Sequence, residues 1–191
     1  MLTNLIATIS KTVIPNKSDI ALCQQYFGPI SIHKNTILEE QGKIPEYLYF
    51  INLGYMRLFY SDENGDEIVT NLSAEGEFIA PFLSFINGFP AKENVECITD
   101  CELLRIAKPN LKKLIDESET FKQFSLIIFQ QAMASTEMRA NDLAILNAEQ
   151  RYKKFITDKS SILQNVPVQY IASFLGMKPE SLSRIRRQII S

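Results

Sequence analysis

Four polar residues near the end of the sequence have the spacing of one face of a helix that could contact DNA bases. At about 100° per residue, they share one side of segment 179–190: Glu180, Ser183, Arg184 and Arg187. A guanidinium can donate to O6 and N7 of guanine, and a carboxylate can accept from N4 of cytosine. Such a face is suited to the base edges in a DNA major groove.

The residues around this segment decide between a DNA-contacting helix and a merely solubilising basic end that suits the helix dipole. Gly176 can end a preceding helix over 168–175, and Pro179 fits the first turn of the next one. Small Ala172 allows a close helix crossing, and Leu182 and Ile185 can fill the angle between the helices. This pattern predicts a helix-turn-helix. The DNA-binding candidates are therefore Lys178, Glu180, Ser183, Arg184, Arg186 and Arg187, with Lys153 and Lys154 as further phosphate contacts.

The charge is unevenly distributed along the chain. Residues 151–191 hold eight Lys or Arg and two acidic residues, whereas residues 1–150 hold 12 basic and 20 acidic residues. A short basic module on an acidic body indicates an anionic polymer as its partner, most often nucleic acid. We place a domain boundary at Asn147, where Asn147 and Gln150 have capping-box spacing for a new helix.

The composition argues against several other classes of protein. Apolar runs are too short to span a bilayer, and we expect no export signal, so the predicted location is the cytoplasm. Cys97 and Cys101 are expected on one face of a strand, but further metal ligands are missing nearby. His33 is the only histidine, and no glycine-rich phosphate loop or nucleophile motif is present. We therefore predict neither a metal site nor an enzyme.

A long helix is predicted over residues 119–146, and it is apolar on two sides. Its heptad-like stripe has the spacing of a two-helix coiled coil and consists of Leu126, Phe129, Met133, Thr136, Ala140 and Leu143. A second stripe at Phe121, Phe124 and Ile128 can lie against a sheet. We expect dimerisation through Leu126, Phe129, Met133, Ala140 and Leu143. The alternative is a central core helix of a monomer.

The region before this helix has the texture of a rolled antiparallel sheet. Residues 47–60, 67–72 and 95–106 are rich in β-branched and aromatic residues, and Asn64-Gly65 is a hairpin signal. Together with punctuating glycines, they predict a roll of about eight strands. Two helices precede it, over 2–13 and from a cap at Ser18 to about Phe27. The predicted fold class is α+β.

These motifs together resemble the CRP/FNR family of bacterial transcription regulators over nearly the whole chain. "EEQGKIPEYLYFINLGYMRLFYSDENGDE" and "GEF" resemble the family's cyclic-nucleotide-binding-type β-roll, and "PESLSR" matches its Glu-x-x-Ser-Arg recognition signature. The resemblance implies a sensor domain (1–118), a dimerisation helix (119–146) and a DNA-binding domain (147–191). It also implies double-stranded DNA with an inverted repeat, a second copy of the chain and RNA polymerase as partners. Few residues separate helix 148–158 from the helix-turn-helix, so the family's winged hairpin would be very short.

The expected effector site departs from the family pattern. By that resemblance, members that bind cyclic AMP hold the ribose with the Glu of Gly-Glu and the cyclic phosphate with a following arginine. Here Gly76-Glu77 is followed by a longer segment without arginine, in which Lys92 is the only cation. We therefore expect cyclic AMP not to bind tightly, because lysine lacks the bidentate grip of a guanidinium. Either the loop aromatics fill the structure themselves, or an uncharged effector binds near Glu77, Phe78, Phe82, Phe85 and Lys92. We favour filling.

Overall fold

The structure is a computed structural model that describes residues 1–190. Its helices are α1 (Leu2–Ile9), α2 (Lys17–Tyr26), α3 (Phe82–Asn87), α4 (Lys108–Glu117), α5 (Glu119–Ile145), α6 (Ala148–Asp158), α7 (Ser160–Asn165), α8 (Val168–Phe174) and α9 (Pro179–Ile190). Its strands are β1 (Gly28–Ile32), β2 (Ile37–Glu39), β3 (Tyr47–Leu53), β4 (Met56–Ser61), β5 (Glu67–Ser73), β6 (Phe78–Ile79), β7 (Asn94–Cys97) and β8 (Cys101–Ala107).

The strands form two four-stranded antiparallel sheets, with the orders β1-β8-β3-β6 and β2-β7-β4-β5. The prediction of an antiparallel roll with helices is therefore confirmed. The β4–β5 hairpin turns at the predicted Asn64-Gly65 pair. Asp62 Oδ1 fixes this turn by accepting from the backbone N–H groups of Asn64 and Asp66, both at 2.9 Å.

The prediction that Cys97 and Cys101 lie on one face of a single strand is wrong. The chain leaves the second sheet after Cys97 and enters the first at Cys101, so the two cysteines lie on different strands. Thr99 Oγ1 holds the corner by accepting from the N–H of Tyr55 at 3.0 Å. Gly54 adopts φ +105° beside it, and a Cβ there would come within 2.7 Å of Asp100 O. Residues on both sides of the corner favour strands, so the composition of residues 95–106 did not indicate it.

The first sheet separates two cores. Its inner face and the second sheet bury residues of the roll interior: Tyr49, Ile51, Met56, Leu58, Ile79, Val95, Cys97, Cys101 and Leu103. Its outer face packs under the helices, with a cluster that includes Leu5, Ile9, Phe27, Leu48, Phe50, Leu104, Ile106, Phe121 and Phe124. The prediction that Phe121 and Phe124 lie against the sheet is confirmed.

The N-terminal helices differ in detail from the prediction. Helix α1 ends at Ile9 instead of continuing to residue 13, and Thr12 Oγ1 donates to the Ile9 carbonyl in the following turn. The cap of α2 is Asn16 instead of Ser18. Asn16 forms a capping box with Asp19, because each side chain accepts from the backbone of the other residue.

Helix α6 begins at the predicted capping box. Helix α5 ends at Ile145, and the Asn147–Gln150 capping box starts α6. The expected short winged hairpin is wrong: residues 160–165 form α7, and residues 147–190 contain no strand. Ile162 of this segment is buried in the helical core. No helix within residues 1–190 is long and apolar enough to cross a membrane.

Candidate nucleic-acid interface

The two helices of the predicted helix-turn-helix are joined by a tight turn at Gly176. Gly176 adopts φ +63°, which favours glycine, and the N–H of Met177 donates to the Ala172 carbonyl at 3.0 Å. A Cβ at Gly176 would lie 2.6 Å from Leu143 Cδ2 of α5. The positive φ therefore favours glycine at this position, where Leu143 of the long helix packs closely on the turn.

Apolar residues hold the two helices together as the sequence predicted. Ala172 and Leu182 are fully buried, and Ile185 is nearly so. Phe155 of α6 packs on Phe174 of α8, with 5.7 Å between the ring centroids. Arg151 Nε donates to the Leu175 carbonyl at 2.7 Å and ties α6 to the turn. The packing fixes the direction in which α9 leaves the turn.

The opposite face of α9 presents the predicted base-contacting residues to solvent. Glu180 and Arg184 are exposed and lie one turn apart, and Ser183 between them is half-buried. Arg187 and Lys178 are also exposed, whereas Arg186 is half-buried. The structure therefore brings a carboxylate and a guanidinium to one accessible helix face.

The two lysines predicted to meet phosphates have partners within the chain. Lys154 Nζ lies 2.7 Å from Asp142 Oδ2 and links α6 to the end of α5. Lys153 Nζ lies 2.7 Å from Glu149 Oε1 on its own helix. Lys154 thus has a structural use that the sequence did not reveal.

The helix-turn-helix is docked on the second sheet through α8. The N–H of Val69 in β5 donates to Ser173 Oγ at 2.9 Å, and that hydroxyl donates to the Glu67 carbonyl at 3.3 Å. Apolar residues of the sheet and the helices form one buried cluster, which includes Phe59, Val69, Leu72, Tyr152, Phe155, Ile171 and Leu175. The roll and the C-terminal helices therefore share a core.

A buried arginine of the sheet takes part in this docking. Arg57 in β4 is only 2% exposed, and its guanidinium lies 3.9 Å from the ring centroids of both Phe59 and Tyr170. Arg57 Nη1 lies 2.7 Å from Glu67 Oε2, and Arg57 Nε donates to Glu96. Tyr170 of α8 thus packs on a charge that two carboxylates balance.

Further hydrogen bonds join the C-terminal helices to the roll. Lys159 Nζ donates to the Leu72 carbonyl at 2.7 Å, and Asn165 Nδ2 donates to Tyr55 Oη at 2.8 Å. Arg139 of α5 donates from Nη2 to the Val69 carbonyl at 2.9 Å and from Nε to the Phe174 carbonyl at 3.1 Å. Sequence reasoning missed these contacts. The one available signal was that Arg139 is the only arginine in α5.

Burial lowers the pKa of the Arg139 guanidinium, and the negative charge of Glu93 opposes that shift. An arginine keeps its charge even when it is half-buried, because its ordinary pKa is above 12. Arg139 therefore donates to both carbonyls as a cation.

The residues proposed for an effector pocket do not converge on one cavity. Glu77 lies at the surface, where its Oε2 accepts from the N–H of Ala74 at 3.3 Å and its Oε1 is 3.6 Å from Lys159 Nζ. Lys92 is exposed. Glu77 thus lies beside Lys159 of the C-terminal part instead of in an interior site for a ribose.

The three predicted pocket aromatics pack into the core under the helices. Phe78 contacts Phe50 and Phe124, with ring centroids 5.1 and 5.8 Å apart, and Phe85 is buried. Phe82 contacts Phe129 of α5 at 6.0 Å. These three side chains pack on the outer side of the first sheet, outside the roll, whereas Leu83, Ile86 and Phe89 of the same loop are 74%, 45% and 59% exposed. A cleft of about 350 Å³, open mouth included, lies in this core and is lined almost entirely by apolar residues.

The residues predicted to form a dimer seam differ in exposure. Leu126 and Met133 are 59% and 73% exposed, and Ala140 is exposed as well. Phe129 is half-buried against Phe82 of its own chain, and Leu143 is half-buried against the turn at Gly176. Leu126 and Met133 are therefore the large seam residues that the single chain leaves exposed.

Comparisons with known proteins agree with this architecture. Residues 29–118 match the family model described as a cyclic nucleotide-binding domain. The chain is 23% identical over 171 residues to the "cAMP-activated global transcriptional regulator CRP" of Escherichia coli O157:H7 and of Salmonella typhimurium. Each alignment covers 83% of this chain and 81% of the relative.

Two solved structures show the same fold at low sequence identity. FixK2 from Bradyrhizobium japonicum superposes with a TM-score of 0.75 at 16% identity, over 85% of this chain and 84% of that one. A putative transcriptional regulator of the crp/fnr family from Eubacterium rectale gives a TM-score of 0.68 at 16% identity, over 91% and 83% of the two chains.

Proposed function

We infer that this chain, a CRP/FNR-family regulator with a cyclic nucleotide-binding-type domain, acts as a homodimer that binds a specific DNA sequence and has an altered effector site. The family consists of transcription regulators, not enzymes, and its members bind DNA and dimerise. The sequence specificity, the dimer interface and the state of the effector site are the parts that we propose.

One observation supports sequence-specific DNA binding above all others. Helix α9 leaves a tight helix-turn-helix with its apolar face buried at Leu182 and Ile185, and with Glu180 and Arg184 exposed on the other side. A recognition helix needs this division, since one face must be held by the protein while the other enters the major groove. Arginine contacts guanine and glutamate accepts from cytosine, so this face is expected to distinguish base pairs.

The exposed stripe of α5 supports a homodimer. Leu126 and Met133 are separated by seven residues and are more than half exposed in the single chain. Large apolar side chains at heptad spacing on a 27-residue helix are typical of a coiled-coil seam. A two-fold axis along α5 would also present two copies of α9 to one DNA duplex.

The altered effector site rests on the surroundings of Glu77. The CRP relatives are named as cAMP-activated, but here Glu77 lies beside Lys159 and the segment from 78 to 94 contains no arginine. Lysine provides a point charge instead of a paired grip on phosphate. We therefore propose DNA binding that does not depend on cyclic AMP.

Fluorescence anisotropy on the purified full-length protein tests the proposal. Duplexes selected from a random pool are compared with scrambled duplexes of equal length, at several salt concentrations, with and without cyclic AMP. We expect selected duplexes to bind at least 10³-fold more tightly than scrambled ones, with or without the nucleotide. Equal, weak and salt-labile binding of both duplexes would show instead that the chain is a ligand-binding module with secondary DNA affinity.

A further inference from the structure

The DNA-binding helices pack along the edge strand of the second sheet. Strand β5 is the last strand in the order β2-β7-β4-β5, so one side of its backbone has no neighbouring strand. On that side the N–H and the carbonyl of Val69 both bond to side chains, Ser173 Oγ at 2.9 Å and Arg139 Nη2 at 2.9 Å. Edge-strand backbone groups need partners when they are covered. The contacts with Ser173 and Arg139 thus satisfy the backbone groups of Val69 where α8 covers the edge of the roll.

Arg139 is the point at which three elements meet. It belongs to α5, it bonds to the Val69 carbonyl of β5, and it bonds to the Phe174 carbonyl at the end of α8. Its guanidinium also lies 5.1 Å from the centroid of the Phe174 ring. The planar guanidinium presents several donors in fixed directions and can hold both carbonyls at once. The side chain therefore connects the helix-turn-helix to the roll and to the proposed dimer helix.

The docked arrangement leaves the base-contacting face of α9 open. Docking uses Tyr170, Ser173 and Phe174 of α8, whereas Glu180 and Arg184 of α9 are exposed. The same contacts that fix the helix-turn-helix therefore do not cover the surface that meets DNA.

We propose that Arg139 is a positioning residue that, together with Ser173, holds the helix-turn-helix on β5 in its DNA-competent orientation without an effector. This inference rests on the proposed function, because it concerns how that DNA-binding face is oriented. Loss of the two hydrogen bonds would let the module sample orientations that do not fit both half-sites of a duplex. The apparent dissociation constant would then rise in proportion to the lost competent fraction.

The test compares Arg139→Met with the wild-type chain. Methionine keeps an apolar stem of similar length but removes both hydrogen bonds. We expect the affinity for the selected duplex to fall about tenfold if the competent fraction falls to about a tenth, while the affinity for a scrambled duplex changes less than twofold. Amide hydrogen exchange at Val69 should accelerate, and exchange at Leu182 inside the helix-turn-helix should stay unchanged. A merely destabilised DNA-binding domain would accelerate both.

Two further variants serve as a check and a control. Ser173→Ala removes the acceptor of the Val69 N–H, so exchange at Val69 should accelerate directly, and the affinity for the selected duplex should fall less than in Arg139→Met. The proposal therefore stays testable if Arg139→Met folds poorly. Arg105→Met makes the same change at a half-buried arginine of β8, whose guanidinium lies over Tyr47, and should leave DNA affinity unchanged.

Several results would overturn the proposal. Tighter binding of the selected duplex by Arg139→Met would mean that the docking restrains DNA binding. Unchanged DNA affinity, or unchanged exchange at Val69, would mean that Arg139 does not position the module. If the wild-type chain itself prefers no duplex, the proposed function fails, and the exchange of Val69 still decides whether Arg139 holds the docked arrangement.

Discussion

Arg184 is the residue on which the sequence preference of the proposed DNA contact depends. It is exposed on α9, one turn after Glu180. We expect Arg184→Ala to cost about 1–3 kcal/mol of binding free energy per half-site and to relax the preference for one G·C pair. Titration of duplexes with each base at that position measures both effects. A binding motif that is unchanged in Arg184→Ala would show that another face of the helix contacts the bases.

Arg186 provides a matched comparison on the same helix. It lies two residues later, is half-buried, and is expected to meet a phosphate. Arg186→Ala should weaken binding to all duplexes alike and reduce the slope of log K against log salt by about one per contact removed. A base-specific loss in this variant would contradict the assignment.

Asp19 should make the stability of the N-terminal part depend on pH. Burial alone would raise the pKa of this carboxyl, but hydrogen bonds from Ser118 Oγ at 2.6 Å and the Asn16 N–H at 2.9 Å hold it below its ordinary value of 3.8. A lowered folded-state pKa stabilises the protein above pH 3.8, and this contribution is lost as the pH falls through the folded-state value. The carboxylate thus ties the start of α2 to the cap of α5.

The variant Asp19→Asn measures that contribution. We expect it to lower the free energy of unfolding by about 1.5–3 kcal/mol at pH 7, as for hydrogen bonds to a charged group. The difference from wild type should narrow below pH 3.8 in urea titrations. Asp116→Asn, at an exposed acid of α4 paired with Lys112, should change stability little. If the difference in unfolding free energy between Asp19→Asn and the wild type is constant from pH 7 to pH 3, the pKa of Asp19 is not lowered in the folded state.

At the scale of elements, α5 should carry the dimer through its exposed stripe. Leu126→Glu combined with Met133→Glu should give monomers, because both side chains are solvent-facing in the single chain and four like charges would face each other across the seam. Sedimentation equilibrium measures the mass, and circular dichroism should show an intact fold. Phe129 is unsuitable for this test, since it packs on Phe82 of its own chain.

A control for this variant uses apolar residues exposed elsewhere. Ile44 and Leu53 are 56% and 49% exposed outside the helices. Ile44→Glu with Leu53→Glu should leave the dimer intact. A wild-type chain that sediments as a stable monomer at micromolar concentration would remove the proposed interface altogether.

Elements were predictable where one local pattern dominated. The heptad stripe and the Asn147–Gln150 box indicated the limits of α5 and the start of α6, which the structure places at Ile145 and Ala148. The prediction of elements failed where contacts with residues distant in sequence determine the local structure. The corner at Thr99 depends on a hydrogen bond from Tyr55 and on the nearby Gly54, which lie far away in sequence. Residues 160–165 became a helix because Ile162 is buried among other helices.

For the whole molecule, the sequence indicated the modules but not how they contact one another. The apolar face of the helix-turn-helix was visible in Leu182 and Ile185. The docking of the helix-turn-helix on β5 could not be predicted. Ser173 and Arg139 bond to backbone atoms of β5, and every residue type has the same backbone atoms. The same limit explains Glu77: its position in a family motif suggested a ligand, but Lys159, which joins α6 to α7 and is distant in sequence, lies beside it.

The arrangement of the whole roll should make cyclic AMP a poor ligand. Its interior is filled by residues such as Tyr49, Met56 and Leu103, and Glu77 lies outside it. Calorimetry should detect no binding of cyclic AMP at micromolar concentrations. Micromolar affinity that Glu77→Ala abolishes would restore a nucleotide site and contradict the proposal. Lys92→Ala, at an exposed cation, should have no effect on either protein stability or nucleotide binding.

The symmetry of the proposed dimer predicts the form of its DNA site. Two copies of α9 related by a two-fold axis should contact an inverted repeat whose half-site centres lie about one helical turn apart, roughly 34–36 Å. Because Arg184 and Glu180 suit guanine and cytosine, each half-site should contain a G·C step, and resemblance to the family suggests a TGA-like core. Selection from random duplexes tests the arrangement. Inserting five base pairs between half-sites rotates one by about half a helical turn and should abolish tight binding, whereas enrichment of non-palindromic sites would show that the two helices do not act as a symmetric pair.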